Sequence, residues 1–368
     1  MIIKSRYSDT FAENHKIMLL KDFFFRFQSE TDCLEYIKGV RQEVGITCSK
    51  CGCTEHKWLD GRCSFQCMQC GNWTSLTQGT VMEKSHLPLY SWLFTAHLMT
   101  SFKQVLSAKE IQHQLEMKYY PPAWLMMMKL RDIMGQRESE YKLSGQVELD
   151  ISFFPTSVMS IVNGEKVSKS QKTKVLVIAE SKLADEILAE YLSNTTDSEE
   201  INKASLLAKK MAKQNVGKAV KYIKMFALPN QQFTTLKPYV QSFVDTDTKV
   251  VTDGGLNLIG LKNIVKELEM HPETEADPHE VTKKVLPWVH IITGECRSGI
   301  EAIHKEVDER FLQLYLNEYC WKFNRRFFRD SKEEKYDLFD HLIRIAVKYT
   351  SGIKWRDYED SCNLINRF

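Results

Sequence analysis

Apolar residues recur at helical spacing through residues 80–140. One buried helix face is predicted by the i, i+3, i+4 and i+7 positions at Leu89, Trp92, Leu93 and Ala96. Ser107 stands three residues before Glu110, which is the S-x-x-E form of a capping box and predicts a helix that begins at Ser107. The Pro-Pro pair at 121–122 suits the first turn of a further helix, predicted from about residue 123 to 133.

From residue 145 the hydrophobic pattern changes to that of strands. Strands are predicted at residues 146–154, 173–181, 218–228 and 248–255, the first two joined by a hairpin around Asn163-Gly164. Helices are predicted at residues 183–215 and 231–244. Apolar stripes predict two more helix faces, one at Leu258, Leu261, Val265 and Leu268 and one at Leu312, Tyr315, Leu316, Tyr319 and Phe323. This order of strands and helices indicates an α/β or α+β core.

Length and composition narrow the class of protein. A chain of 368 residues has room for two or three domains, and no stretch of it is long and apolar enough to predict a membrane span. The segment Met1–Lys16 lacks the apolar core of a signal peptide. Fifty Lys and Arg against 48 Asp and Glu leave a net charge of +2, so any positive field for nucleic acid must be local. Ten cysteines in such a chain indicate bound metal or free thiols rather than disulfides.

Four cysteines have the spacing of a zinc ribbon. Cys48 and Cys51 form one C-x2-C pair, and Cys67 and Cys70 form another after fifteen intervening residues. Two such pairs turn four thiolates toward one point, and four protein ligands close the coordination shell. The sequence therefore predicts a structural zinc ion rather than a catalytic one.

Other residues near the cysteine pairs are less well placed for zinc. Cys53 and Cys63 fall outside the spacing, and His56 is not needed once four thiolates bind. The alternative interpretation is a set of buried cysteines without metal. Zinc ribbons present a small β-surface to nucleic acid or to protein, and the spacing does not decide between them. Local positive charge comes from Lys50, Lys57 and Arg62.

The helices predicted at 107–115 and 123–133 resemble a helix-turn-helix. The second helix would then present Lys129 and Arg131 to phosphates or bases. The alternative is an ordinary helical pair with the methionines at 126–128 in the core. Spacing alone favours this alternative, because two short helices around a turn are common.

Two aspartates occupy strand positions that suit metal chemistry. Asp150 lies inside an apolar strand pattern, and Asp253 ends one just before Gly254-Gly255. A carboxylate in such a place is costly to bury unless it is paired or bound to metal. If the two strands are neighbours, the carboxylates can share Mg²⁺ ions for phosphodiester chemistry. An Asp before Gly-Gly is also a common turn former, and spacing alone favours that interpretation.

Seven short motifs follow one another in a specific order. They are the C-x2-C…C-x2-C ribbon, LTQGTVMEKSHLPLYSW (Leu76–Trp92), PPAWLMMMKLRDIM (Pro121–Met134), VELD (Val147–Asp150), VVTDGG (Val250–Gly255), LPWVH (Leu286–His290) and YLNEYCWKFNRR (Tyr315–Arg326). Together they resemble the zinc-ribbon-bearing insertion-sequence transposases, whose catalytic domain is of the DDE type (ISXO-like) with a ribonuclease-H-like fold. The resemblance extends over residues 45–330.

The resemblance implies a set of catalytic residues. Asp150 matches the first catalytic aspartate of the family and Asp253 the second. The third family position holds Glu, Asn or His, followed seven residues later by Lys or Arg. His290 with Arg297 fits this spacing, whereas Glu295 is the rival acidic ligand. Without the resemblance, His290 would be interpreted as a core histidine beside its neighbour Trp288.

The resemblance also implies an activity. Such a transposase binds double-stranded DNA at the transposon ends, cleaves phosphodiester bonds and joins the freed 3′-hydroxyls to target DNA. The resemblance implies two-metal chemistry with Mg²⁺ or Mn²⁺ and a separate structural Zn²⁺. It also implies a homo-oligomer on DNA that does not involve a membrane and is located in the bacterial cytoplasm at the nucleoid. Arg297, Arg325 and Arg326 would neutralise phosphate charge. Further DNA contacts are predicted from two groups of lysines: Lys166, Lys169, Lys172 and Lys174, and Lys209, Lys210, Lys213, Lys218, Lys221 and Lys224.

The predicted architecture is an α/β protein with a ribonuclease-H-like mixed sheet flanked by helices. The predicted domains are an N-terminal helical segment (1–45), a zinc ribbon (46–75), a helix-turn-helix-like DNA-binding region (76–140), the DDE-type catalytic domain (141–330) and a C-terminal helical tail (331–368). One alternative is a catalytically decayed, transposase-derived zinc-ribbon protein that still binds DNA. A zinc-ribbon subunit of a transcription or RNA-processing complex is disfavoured, because it leaves residues 286–326 unexplained.

Overall fold

The computed structural model describes the chain in six continuous ranges: 18–162, 165–183, 218–253, 255–271, 285–325 and 337–356. The chain divides into two compact units, one formed by residues 1–137 and 332–361 and the other by residues 138–331 and 362–368. The helix predicted at 183–215 lies outside the continuous described ranges. Among the described residues, none of the helices combines the length and the apolar character that crossing a bilayer requires.

The helices confirm most of the predicted helical segments. In chain order they are α1 (Leu20–Arg26), α2 (Glu30–Val44), α3 (Leu89–Ser101), α4 (Ala108–Gln114), α5 (Tyr120–Glu138), α6 (Phe233–Phe243), α7 (Pro287–His304), α8 (Leu312–Asn324) and α9 (Leu338–Lys348). The strands are β1 (His56–Leu59), β2 (Ser64–Cys67), β3 (Trp73–Ser75), β4 (Gln146–Val162), β5 (Glu165–Leu183), β6 (Lys218–Leu228), β7 (Lys249–Thr252), β8 (Glu267–Met270) and β9 (Val307–Asp308).

The first unit consists of helices and a small antiparallel sheet formed by β1, β2 and β3. Ser107 caps α4 as predicted, since its hydroxyl accepts from the Glu110 backbone N–H at 3.0 Å. The core is aromatic: the fully buried Phe23 ring stacks on His97 at 4.8 Å and meets Phe339 of α9 edge to face. Helix α9 thus joins the unit that contains the N-terminal helices.

The second unit contains a mixed sheet in the order β6-β5-β4-β7-β8. Strands β6, β5 and β4 are antiparallel, whereas β7 and β8 run parallel to β4. Val162 of β4 pairs with Glu165 of β5, so the register agrees with the hairpin predicted around Asn163-Gly164, although those two residues are not described. This mixed sheet with helices on both faces is the predicted ribonuclease-H-like architecture.

One predicted helix is wrong. The stripe from Leu258 to Leu268 is not one helix but a 3₁₀ helix at Leu256–Asn263 followed by strand β8. Leu258 and Leu261 fit the three-residue repeat of a 3₁₀ helix, and Leu268 pairs with Val250 of β7. A strand here supplies hydrogen-bond partners to the edge of β7, which a second helix would leave without them.

Alternation along β4 assigns its side chains to the two faces of the sheet. Val147 and Leu149 lie in the core cluster that contains Leu236 and Val240 of α6. Glu148 and Ser152 point to the opposite face, where they contact α7. Asp150 has the same parity as Glu148 and Ser152, so it lies on the α7 face of the sheet.

Two amide side chains of α8 cover the outer edge of β6. The Gln313 carboxamide accepts from the Ala227 N–H at 2.8 Å and donates to the Met225 carbonyl at 3.0 Å. The Asn324 carboxamide accepts from the Ile223 N–H at 2.7 Å and donates to its carbonyl at 2.9 Å. Each amide therefore supplies both the acceptor and the donor that a neighbouring strand would offer.

Candidate active site and metal cluster

The two cysteine pairs adopt the same backbone turn. In the first, the Cys48 N–H donates to the Cys53 carbonyl and the Gly52 N–H donates to the Cys48 carbonyl, both at 2.9 Å. In the second, the Cys67 N–H donates to the Asn72 carbonyl at 2.9 Å, and a glycine N–H again closes the turn on Cys67 at 3.0 Å. Both glycines have a left-handed backbone, with φ of +74° at Gly52 and +71° at position 71, which a side chain would strain.

These turns bring four sulfur atoms together. All four ligand atoms of Cys48, Cys51, Cys67 and Cys70 lie within 4.8 Å of one another. The sulfurs of Cys48 and Cys70 are 3.6 Å apart, and those of Cys51 and Cys67 are 3.5 Å apart. Zinc–sulfur bonds of about 2.3 Å in a tetrahedron require sulfurs about 3.8 Å apart, so the cluster fits zinc.

The local backbone also favours a thiolate in this cluster. The N–H groups of Cys51 and Lys50 lower the pKa of Cys48 to about 6, and thiolate is the form that binds metal. Cys53 and Cys63 lie outside the cluster and contact nearby backbone carbonyls instead. His56 is likewise outside it, with Nδ1 beside the Thr54 carbonyl at 3.1 Å.

The pairing of the parallel strands β4 and β7 relates Asp150 of β4 to Asp253, which directly follows β7. Strand β4 pairs with β7 so that Val147 is opposite Val250 and Glu148 is opposite Val251. Continuing this register by two residues places Asp150 opposite Asp253, on the same face and about one strand spacing (~4.8 Å) away. Both side chains are partly buried. Two hard carboxylate donors on one face form a set that suits Mg²⁺ or Mn²⁺.

Hydrogen bonds hold the two aspartates locally. The Asp150 carboxylate accepts from the Ile151 N–H at 2.6 Å. Asp253 accepts from the Gly255 N–H at 3.3 Å, which retains the turn-forming contact expected of Asp before Gly-Gly. In the described part of the chain, only the cysteine cluster gathers three or more His, Cys, Asp or Glu ligand atoms within 4.8 Å.

Helix α7 lies along the face that carries Asp150. Its first-turn N–H groups at Trp288 and Val289 donate to the buried Glu148 carboxylate at 2.9 and 3.3 Å. One turn further along, the Thr293 and Ser152 hydroxyls are 3.1 Å apart. These contacts run along β4 on both sides of Asp150 and fix the helix over it.

His290 and Arg297 share the face of α7 that follows β4. Arg297 donates to the Phe153 carbonyl, and at 100° per residue it is only about 20° around the helix from His290. Glu295 is about 140° from His290, and the Tyr319 hydroxyl of α8 donates to it at 3.5 Å. Since α8 packs on β6, Glu295 faces away from β7 and Asp253. Helix geometry thus puts His290 on the same side of α7 as Arg297, which contacts β4, and puts Glu295 on the side that faces α8.

Glu148 was not predicted as a site residue from the sequence. It is 1% exposed, which is rare for a carboxylate, and the positive end of the α7 dipole compensates its charge. The signal available in the sequence was a second acidic residue in an apolar strand, two positions before Asp150 and therefore on the same face.

Several predicted DNA-contacting cations are buried instead. Arg131 is 1% exposed and donates to the Leu106 carbonyl at 3.2 Å, so it does not form a recognition surface. Lys224 is 2% exposed and donates to the Glu138 carbonyl, and Arg325 binds the Glu138 carboxylate at 2.6 Å. The prediction that these cations contact DNA is therefore wrong, because each cation is buried and bonds polar groups inside the protein.

The remaining predicted cations divide between described and undescribed residues. Lys169 and Lys172 on β5 are exposed, and Lys174 is partly exposed. The positions of Lys209, Lys210, Lys213 and Arg326, and the side chains of Lys166 and Lys218, lie outside the described parts. The long β4–β5 hairpin is therefore the predicted cationic region that the structure places at the surface.

Part of the chain matches a known protein family. Residues 142–324 match the family described as the ISXO2-like transposase domain. The matched range contains both aspartates, Glu148 and the whole of α7 and α8, and it begins after the cysteine cluster. Comparisons with curated proteins and with solved structures found no match.

Proposed function

The chain belongs to the ISXO2-like transposases through residues 142–324, and from this premise we propose that it cleaves insertion-sequence ends and joins their 3′-hydroxyls to target DNA. One observation supports the chemistry most directly: β4 and β7 are adjacent parallel strands, and extending their register by two residues relates Asp150 to Asp253. Both steps are in-line displacements at phosphorus, and two carboxylates on one face can contribute ligands to the divalent cations that such steps use.

We assign roles to the chain's own residues accordingly. Asp150 and Asp253 would hold Mg²⁺ or Mn²⁺, and the bound cations would supply activation of the attacking oxygen and charge stabilisation of the leaving oxygen. His290 completes the site from α7. Arg297, fixed by its bond to the Phe153 carbonyl, offers its positive charge to a phosphate of the bound strand.

The proposed DNA substrate lies across the α7 face and the β4–β5 hairpin. Exposed Lys169 and Lys172 would contact phosphates there, so binding should weaken steeply with salt. The cysteine cluster is proposed to bind structural Zn²⁺ and to act as a zinc ribbon in the DNA-binding part of the chain. A homo-oligomer on DNA would bring two transposon ends together.

The direct test is cleavage of DNA that carries the ends of the element encoding this chain. Purified protein is incubated with a supercoiled plasmid bearing those ends, with Mg²⁺ or Mn²⁺, and nicks are mapped by primer extension. Nicks at the element boundaries support the proposal. Specific binding of the ends without nicks in either metal would contradict it and favour a decayed, DNA-binding descendant.

The third site position can be decided by paired substitutions. We expect His290→Ala to lower cleavage strongly and Glu295→Gln to leave it nearly unchanged, because His290 shares the face of α7 whose Arg297 contacts β4, whereas Glu295 faces α8. Imidazole is a softer donor than carboxylate, so wild-type activity should be higher with Mn²⁺ than with Mg²⁺, and His290→Glu should raise Mg²⁺-supported cleavage. Loss of activity in Glu295→Gln with an active His290→Ala would assign the position to Glu295.

Zinc content tests the cysteine cluster. The double variant Cys48→Ser with Cys67→Ser should lose the zinc ion that we expect at one atom per chain, measured by atomic emission. The matched control is Cys53→Ser with Cys63→Ser, which removes two thiols from the same segment but outside the cluster and should keep the zinc. Because a domain this small has little core, loss of zinc should also unfold residues 46–72 locally. Full zinc in the first variant would exclude the assignment.

A further inference from the structure

Strand β8 is followed directly by a histidine, His271, that the transposase assignment does not use. Thr252 of β7 pairs with Met270, and the next residue, His271, donates its backbone N–H to the Thr252 carbonyl at 3.0 Å. The β7–β8 register therefore places His271 opposite Asp253. When the β4–β7 and β7–β8 registers are extended past their last pairs, Asp150, Asp253 and His271 fall in one row, and strand alternation puts that row on the α7 face.

A carboxylate orients the imidazole of His271. Glu269, two residues earlier and on the same face, lies 2.5 Å from His271 Nε2. Lys249 also binds Glu269 at 2.7 Å, and hydrogen bonds from Lys249 and then His271 lower the pKa of this carboxyl group. An ionised carboxylate only accepts hydrogen bonds, so Nε2 is the nitrogen that carries the hydrogen.

The other ring nitrogen is available to a ligand. Among the described residues, the hydrogen bonds of His271 are those to Thr252 and Glu269, and neither uses Nδ1. The side chain is 37% exposed. In the neutral tautomer with hydrogen on Nε2, Nδ1 is a hydrogen-bond acceptor pointing its lone pair away from Glu269.

Strand spacing decides what Nδ1 can reach. His271 is two strands from Asp150, about 9.6 Å between backbones, so the two residues do not share one metal ion. His271 instead flanks Asp253 on the outer side, where a bound DNA strand would pass. The geometry points to His271 as a further catalytic residue, whose Nδ1 accepts a hydrogen bond from the attacking hydroxyl of water or of a 3′ end, with Glu269 as its positioning residue. This inference rests on the proposed transposase chemistry.

Cleavage kinetics with matched variants test the inference. His271→Ala should lower the single-turnover nicking rate about 100-fold, the low end of what a positioned proton acceptor contributes, with DNA affinity unchanged within about twofold. Added imidazole should restore part of the nicking rate of His271→Ala and should leave the wild-type rate unchanged. Glu269→Gln should lower the rate about tenfold, as a lost orienting partner does.

Glu267 provides the control on the same strand. It binds the same Lys249 at 2.7 Å, but Glu267 is two residues further along β8 from His271 than Glu269 is, and it has no hydrogen bond to His271. Glu267→Gln should therefore keep wild-type nicking. Equal losses in Glu267→Gln and Glu269→Gln would assign the effect to the Lys249 bridge and overturn the orienting role of Glu269. An active His271→Ala alongside an inactive Asp253→Asn would overturn the inference while leaving the transposase proposal intact.

A binding measurement keeps the inference testable even if wild type does not nick DNA. With ¹³Cε1-labelled histidines, the His271 signal is assigned by its absence in His271→Ala. Duplex DNA ending at the element boundary with a free 3′-hydroxyl, added without divalent cation, should shift that signal. The same duplex ending in a 3′-hydrogen should shift it less. No shift with either duplex at saturation would overturn the inference.

Discussion

Asp253→Asn is expected to abolish DNA strand cleavage, by at least about a thousandfold, while DNA binding stays nearly intact. The amide keeps the size of the side chain and its contact with the Gly255 N–H, but it loses the charge that holds a divalent cation. Metal stabilisation of the transition state is worth several kcal/mol, and about 1.4 kcal/mol corresponds to a factor of ten in rate. The measurement is plasmid nicking together with end-DNA binding by anisotropy.

Asp247→Asn is the matched control for Asp253→Asn. Asp247 precedes the same strand, is exposed and pairs with Lys266 at 2.7 Å. It should nick DNA at the wild-type rate. If Asp253→Asn retained more than a few per cent of wild-type cleavage, Asp253 would not be a metal ligand.

Arg325→Ala should produce the largest loss of stability. The Arg325 guanidinium binds the Glu138 carboxylate at 2.6 Å, and both side chains are more than nine-tenths buried. Asn324 and Tyr141 also donate to this carboxylate. Removing the cation leaves a buried charge without its main partner, which costs about 3–5 kcal/mol. Native-state hydrogen exchange of β6 amides measures the loss, since Asn324 joins this cluster to β6.

Two comparisons test the explanation for Arg325. Lys266→Ala breaks an exposed ion pair and should leave exchange unchanged. Glu138→Gln combined with Arg325→Met removes both charges of this pair and should recover part of the loss. A single Arg325→Ala variant as stable as wild type would show that water already solvates Glu138.

The same cluster predicts a pH dependence. Burial raises the pKa of Glu138, but Arg325, Tyr141 and Asn324 more than offset it, so the pKa lies below its ordinary value. A carboxyl group with a lowered folded-state pKa stabilises the protein above its unfolded-state pKa. This contribution is present at neutral pH and is lost in the acid range, as the pH falls through the folded-state pKa.

The features that were predictable from the sequence are those encoded at short range. Cysteine spacing predicted the sulfur cluster, and apolar strand patterns located Asp150 and Asp253. His271 was not predictable in this way, because its place beside Asp253 depends on the offset between β7 and β8, which packing of the whole sheet determines. The helix predicted from Leu258 to Leu268 was wrong for a related reason, because Leu268 would be buried in a helix as well as in a strand.

The burial of individual cations could not be predicted from the sequence. Lys224 and Arg131 were counted as surface charge, which is correct for most lysines and arginines. Both are buried because backbone carbonyls far away in sequence accept their hydrogen bonds. No local pattern distinguishes such a cation from a solvated one.

The amide pair of α8 has a consequence for how copies of this chain assemble. An edge strand with unpaired N–H and C=O groups can pair with a strand of another molecule, which leads to aggregation. Gln313 and Asn324 already fill those vacancies at Ile223, Met225 and Ala227. A strand from a second copy could pair along residues 223–227 of β6 only by displacing both carboxamides. Over this part of β6, contacts between copies are therefore expected to use side-chain surfaces instead of strand addition.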